Sequence, residues 1–253
     1  MSSGKILRER LKAGKVLVGP FLKTLDESFV ETAGYSGFDY VILDQEHGPA
    51  NWETLGRLIR AAKIGGVASI VRIPFVSEET VSKPLDLGAD GIQLPNVSGP
   101  EDVKNLIKFA RFFPKGARGV CRFVRAAKYS ALDRKVYFAE ANEAFLVVQV
   151  EGQKGLENID EILKVKGYDV LFVGPYDLSQ SLGKIGQIDS PEVINTIKDL
   201  MRKVKASGKK LGIFSDTIES AVKWRNIGVK YISYSVDVGI FYEKCREINQ
   251  KIR

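Results

Sequence analysis

The strongest constraint in this chain is a rhythm. Eight short apolar runs, each followed by a stretch with helical spacing, recur from one end to the other. The runs are Val16–Phe21, Tyr40–Asp44, Ser69–Ile73, Gly91–Pro95, Phe145–Val150, Val170–Gly174, Leu211–Phe214 and Tyr231–Ser235. Most are continuously apolar rather than alternating, as parallel strands covered by helices tend to be. The stretches between them put apolar side chains on one helical face, as in Trp52–Lys63 and Val193–Val204. Glycine recurs just before strands, in GGVAS, LGADG, VKGYD, ASGKK and NIGVK, where a left-handed helix C-cap suits it. The pattern predicts an α/β fold, a (β/α)8 TIM barrel forming one domain over residues 1–253. An open doubly wound sheet is the rival topology, but the chain has no glycine-rich dinucleotide fingerprint.

One interval breaks the rhythm: fifty residues separate Pro95 from Phe145. They hold a helix near Pro100–Phe112, a basic stretch with Arg118, Arg122, Arg125 and Lys128, and a second helix near Ala131–Asn142. An elaborated loop after strand 4 is expected to shape the substrate mouth, with its cations either meeting an acidic substrate or forming a solvated face. Net charge is mild, 38 Lys+Arg against 31 Asp+Glu for +7, and it is spread along the chain. That balance favours anionic small molecules as partners and argues against nucleic acid. No apolar run approaches the roughly 20 residues of a membrane span, so no membrane partner is expected. Two distant cysteines, Cys121 and Cys245, and the charged start MSSGKILRERL lead to an expected cytoplasmic location.

In a barrel, chemistry collects where strands end. The second run ends in Asp44-Gln45-Glu46-His47, the third in Arg72-Ile-Pro74, the fourth in Gln93-Leu-Pro95-Asn96, the fifth in Gln149-Val-Glu151 and the sixth in Gly174-Pro175-Tyr176-Asp177. His47 is the only histidine and can titrate near neutrality, as a general base must. Glu151 and Asp177 each follow a strongly apolar strand. They are either solvated loop carboxylates or two ligands of a divalent cation that accepts oxygen donors and leaves positions open. Arg72 either pairs with Glu46 or Glu151 or stabilises a developing oxyanion. The turn at Gly174–Asp177 offers backbone N–H groups to a carboxylate. No glycine-rich phosphate loop follows strands seven and eight, so a carboxylate substrate fits better than a phosphate. Lys23 is the one strand-end lysine available to a rival Schiff-base mechanism, and its polar turn gives no sign of the desolvation such a lysine needs.

Together, LDQEHGP (43–49), VRIP (71–74), LDLGADGIQLPNV (85–97), RGV (118–120), VQVE (148–151) and FVGPYDLS (172–179) resemble the HpcH/HpaI family of class II pyruvate aldolases. The resemblance runs from about Gly19 to Asp237. It implies a homohexameric carbon–carbon lyase that reversibly splits a 4-hydroxy-2-oxo acid into pyruvate and an aldehyde. It also implies a divalent metal on Glu151 and Asp177, with Mg2+ first and Mn2+, Co2+ or Zn2+ as other choices. Pyruvate would contact Gln149, Gly174, Tyr176 and Asp177. His47 would be the base, Arg72 would stabilise the enolate oxygen, and Asp86 would raise the basicity of His47, necessarily across a subunit interface. The chain departs from the family pattern at Gln45, Gly48 and Cys121, on the aldehyde side. The rivals are an oxo-acid decarboxylase or thioester lyase on the same metal core, and a non-catalytic basic binding barrel. The particular aldehyde, the metal used and the pathway are not legible in the residues.

Overall fold

Eight parallel strands follow one another around a closed barrel in sequence order, the last hydrogen-bonded to the first. They are β1 (Leu17–Leu22), β2 (Tyr40–Asp44), β3 (Ala68–Arg72), β4 (Gly91–Leu94), β5 (Phe145–Gln149), β6 (Val170–Val173), β7 (Lys210–Ser215) and β8 (Tyr231–Val236). This is the computed structural model of residues 3–253, and each strand lies within two residues of its expected bounds. The glycines before β3 and β7 cap the preceding helices at positive φ, Gly66 at 70° and Gly208 at 76°.

Two cores result. Val41, Leu43, Val71, Ile92, Leu146 and Leu171 face the surrounding helices, while Tyr40, Ile42, Ile70, Phe145, Phe172 and Tyr231 fill the barrel. The rings of Tyr40 and Tyr231 stack at 4.1 Å between centroids, and Leu7 and Leu11 of the helix Ser3–Lys12 join this inner cluster. A short motif stabilises the N-terminal face. Asp39, Asp90 and Asp169 each stand just before an even-numbered strand and accept a backbone N–H from the strand preceding it in the barrel, at Val18, Ser69 and Leu146. The pattern is visible in FDY, ADG and YDV, and it satisfies strand-end donors that would otherwise be buried unpaired.

The long interval departs from expectation in its location. The helix Pro100–Ala110 carries the chain back from the end of β4 before the extra residues begin, so they lie on the N-terminal face and not at the mouth. Arg118 pairs with Asp86 at 2.5 Å and is 4% exposed, Arg125 donates to the Leu87 carbonyl, and Arg111 donates to the Ala144 carbonyl. Arg122 holds the carbonyls of Ser130 and Leu132. Most of the basic stretch is therefore tied back into the chain's own fold, neither a solvated face nor a part of the strand-end mouth. The second helix is also shorter than expected: a 3₁₀ segment at Arg125–Ser130 precedes Arg134–Ala141, whose start is capped by Asp133.

Candidate active site

The C-terminal ends of the strands surround a 260 Å³ cavity lined by Phe21, Lys23, His47, Arg72, Gln149 and Phe172, and by Gly174 to Asp177, Phe214 and Val236. A larger hollow of 510 Å³ lies on the opposite face beside Ala89, Asp90 and Ala144, where the strands begin. It lacks the convergent strand-end groups of the first, which makes the smaller cavity the candidate active site.

Register explains the cationic wall. β2 and β3 pair with Asp44 opposite Arg72, so these two buried side chains leave the barrel wall in one row. Arg72 donates from Nε to Asp44 Oδ1 at 2.9 Å and from Nη2 to Oδ2 at 2.7 Å, a bidentate pair. Its Nη1 reaches Glu46 Oε2 at 3.0 Å, and the guanidinium lies 4.6 Å from the Phe21 ring centroid. Burial alone would raise the Asp44 carboxyl, but the hydrogen bonds and charge of Arg72 outweigh it and hold the group below its ordinary range. Asp44 Oδ1 also accepts the backbone N–H groups of Glu46 and His47, which shapes the turn carrying the histidine. Gln45 and Gly48 both fit that turn closely. Gln45 Nε2 donates to the Ala50 carbonyl, and a Cβ at Gly48 would sit 2.1 Å from the Asp44 carbonyl oxygen.

The acidic wall is built by an amide relay. Gln93 is fully buried, and its Nε2 donates to Gln149 Oε1 at 2.5 Å. That fixes the Gln149 amide so that its own Nε2 donates to Glu151 Oε2 at 2.6 Å. Asn96 adds its backbone N–H to Glu151 Oε1, and its side chain donates to Glu46. Glu151 is only 1% exposed and enters no ion pair among the described residues. Burial, reinforced by the nearby charge of Asp177, pushes its carboxyl up to about 7 against the opposing bond from Gln149. Gly174 passes so close that a Cβ there would lie 2.2 Å from Glu151 Oε2.

A buried carboxylate without a cationic partner, near a second carboxylate in the first turn of the helix after the next strand, suits a hard divalent cation. The donors are oxygens, and among the described residues no group of three or more His, Cys, Asp and Glu could hold an ion alone. An ion at Glu151 and Asp177 would therefore take its remaining partners from substrate and water.

The structure brings His47, Arg72, Gln149, Gly174, Tyr176 and Asp177 to one cavity, with Glu151 behind Gln149 and Gly174. The Tyr176 hydroxyl donates to Asp216 at 2.6 Å, and that bond, with some burial, pushes its own pKa up to about 12. Asp86 is not brought to His47: it ends the helix Glu78–Asp86 on the opposite face and pairs with Arg118. Of the two pairings open to Arg72 in the sequence, that with Glu46 is present, but the main partner is Asp44. Asp44, Gln93 and Asn96 were placed at the strand ends by the sequence, but without the roles they take here, as partner of Arg72, support of Gln149 and donor to Glu151. A lone glutamine inside the apolar run GIQL was the available signal for Gln93.

Comparison with known proteins gives this geometry a lineage. The sequence matches the HpcH/HpaI aldolase/citrate lyase family over residues 17–243. It is 33% identical to a hydroxypyruvate/pyruvate aldolase of Deinococcus radiodurans, covering 95% of this chain and 87% of that one. It is 31% identical to a 5-keto-4-deoxy-D-glucarate aldolase of Citrobacter koseri, covering 100% and 98%. A crystal structure of an HpcH/HpaI aldolase/citrate lyase family protein from Burkholderia cenocepacia superposes with a TM-score of 0.93 at 30% identity, over 98% of this chain and 99% of that one. With a barrel, a strand-end site and relatives that agree across nearly its whole length, the chain belongs to the HpcH/HpaI aldolase/citrate lyase family and is a carbon–carbon lyase of the aldolase kind.

Proposed function

We propose that the chain is a divalent-metal-dependent aldolase that reversibly cleaves a 4-hydroxy-2-oxo acid into pyruvate and an aldehyde. The observation that carries this reading is the unpaired buried carboxylate of Glu151, set behind Gln149 and Gly174 and near Asp177, which lines one small cavity together with Arg72 and His47. Glu151 and Asp177 would hold the cation, with Mg2+ the first choice. When bound, it supplies positive charge where the electron pair of the breaking carbon–carbon bond accumulates.

The protein's own groups do the rest. Gln149, oriented by Gln93, and the turn Gly174–Asp177 hold the 2-oxo acid end. His47 accepts the proton of the 4-hydroxyl as the C3–C4 bond breaks and the aldehyde carbonyl forms. Arg72, immobilised by Asp44, meets the negative charge that develops on the 2-oxo oxygen. Phe21, Phe172 and Phe214 line the cavity and limit water. In this proposal the chain works as a single catalytic domain within a homohexamer in the cytoplasm, and Asp86 of an adjacent subunit serves His47.

Exchange of pyruvate methyl protons for deuterium isolates enolisation from the choice of aldehyde. Exchange should be rapid with Mg2+ or Mn2+ and should stop on chelation. Chelator-insensitive exchange would sink the metal mechanism.

A further inference from the structure

The 510 Å³ hollow on the opposite face has the size of a small-molecule pocket and combines an apolar wall with charged groups, as such pockets do. Leu85, Ala89, Leu132, Tyr137 and Ala144 supply the wall. Two of its carboxylates, Asp90 and Glu143, are already paired, with Lys63 and Arg8. Arg118 is likewise taken by Asp86, although its buried Nε has no hydrogen-bond partner. That leaves two cations. Arg125 and Lys128 line the hollow and enter no ion pair among the described residues.

The seat of Arg125 is made by a glycine. Gly88 has a φ of 93°, and a Cβ there would lie 2.6 Å from Arg125 Nη1, so a side chain at this position would push the guanidinium away. Arg125 Nη1 donates to the Leu87 carbonyl at 2.9 Å, which anchors the group and leaves its Nε–Nη2 edge without a partner among the described residues. Such an edge is the fork that takes both oxygens of a carboxylate. Burial, together with the charge of Arg60, holds the Arg125 guanidinium below its ordinary range, as expected of a cation without a counter-ion. Lys128, Tyr129 and Ser130 follow at positive φ, 48°, 54° and 79°. Three successive left-handed residues with no glycine among them are strained, and such strain gathers at ligand clamps. Here it brings Lys128 and Tyr129 to the hollow.

We propose that this hollow binds a small organic monocarboxylate with an aromatic or aliphatic body, its carboxylate on Arg125 and Lys128 and its body against Leu85, Leu132 and Tyr137. Glu140 and Glu143 line the same hollow and oppose a second negative charge, which favours a carboxylate over a phosphate. The site shares no lining residue with the strand-end cavity, and it stands independently of the aldolase reading.

The test is calorimetry on the full-length chain with 3-phenylpropanoate as the probe, and with 3-phenylpropan-1-ol and 2-phenylethyl phosphate as its neutral and dianionic counterparts. One 3-phenylpropanoate per chain should bind with a Kd of about 1 mM or tighter. Both counterparts should bind more weakly, and pyruvate with Mg2+ should not displace the probe. R125Q, which removes the charged fork, should weaken binding about tenfold, as loss of a charged hydrogen bond does. K128M should weaken it about threefold, the scale of an exposed ion pair. The Lys128 ammonium holds no other group among the described residues, so K128M decides the matter if R125Q does not fold. Four results would overturn the assignment: no saturable binding, a Kd unmoved by either variant, displacement by pyruvate, or tighter binding of the phosphate than of the carboxylate.

Discussion

Asp44→Ala tests whether the row set by the β2–β3 register holds the site together. The substitution removes both oxygens of a bidentate pair whose two members are buried, Asp44 at 3% and Arg72 at 7% exposure. Removing one partner of a buried pair leaves an uncompensated charge and typically costs 3–5 kcal/mol. Glu46 still reaches Arg72 Nη1, so about 3 kcal/mol, the low end, is expected here. For a chain of this length that corresponds to a fall in Tm of about 6–12 °C. Thermal unfolding followed by circular dichroism measures it. Lys203→Ala is the control, because its pair with Asp160 is at 2.8 Å but both side chains are well exposed, and such pairs are worth less than about 1 kcal/mol. Adding Arg72→Met to Asp44→Ala should recover much of the lost stability, since the unpaired charge goes with it, although activity is lost. A loss for Asp44→Ala no larger than the control, or a double variant weaker than the sum of its singles, would refute the reasoning.

Two further outcomes follow from Glu151. Its folded-state pKa lies above the ordinary value of 4.5, so the stability this group contributes to the metal-free protein is fully present below pH 4.5 and is lost as pH rises through about 7. A divalent cation binds the ionised form, so Mn2+ should raise Tm more at pH 8 than at pH 6, and Glu151→Gln should abolish the difference; equal metal shifts at both pH values would contradict the placement. Gly174→Ala should weaken Mn2+ binding, read by calorimetry, because its methyl group must displace the Glu151 carboxylate from 2.2 Å while Gln149 and Asn96 hold it. An unchanged affinity would mean that the carboxylate is not the ligand.

The contrast between Glu151 and Asp86 shows how far a sequence of this kind can be read. Both are acids near an apolar segment, but Glu151 is singled out by its place after a strand, whereas Asp86 enters only through the resemblance. Glu151 follows a strand, and in a closed parallel barrel every strand ends on the same face, so its place at the mouth was already implied by the rhythm of the chain. Asp86 ends a helix on the opposite face and pairs with Arg118, away from His47. The basic stretch misled for the same reason: its position after strand 4 suggested the mouth, but one helix stood between them and reversed the face.

The sequence by itself determined the barrel and the row of polar groups at its mouth. Both depend on local periodicity and on burial, which are written residue by residue. Only the tertiary structure decided the pairings, Arg72 with Asp44 and the relay from Gln93 through Gln149 to Glu151, and the destination of the long loop. Each depends on strand register, barrel closure or the direction of an intervening helix, and these are properties of segments in combination. No single stretch of the chain encodes which side chain stands beside it on the next strand.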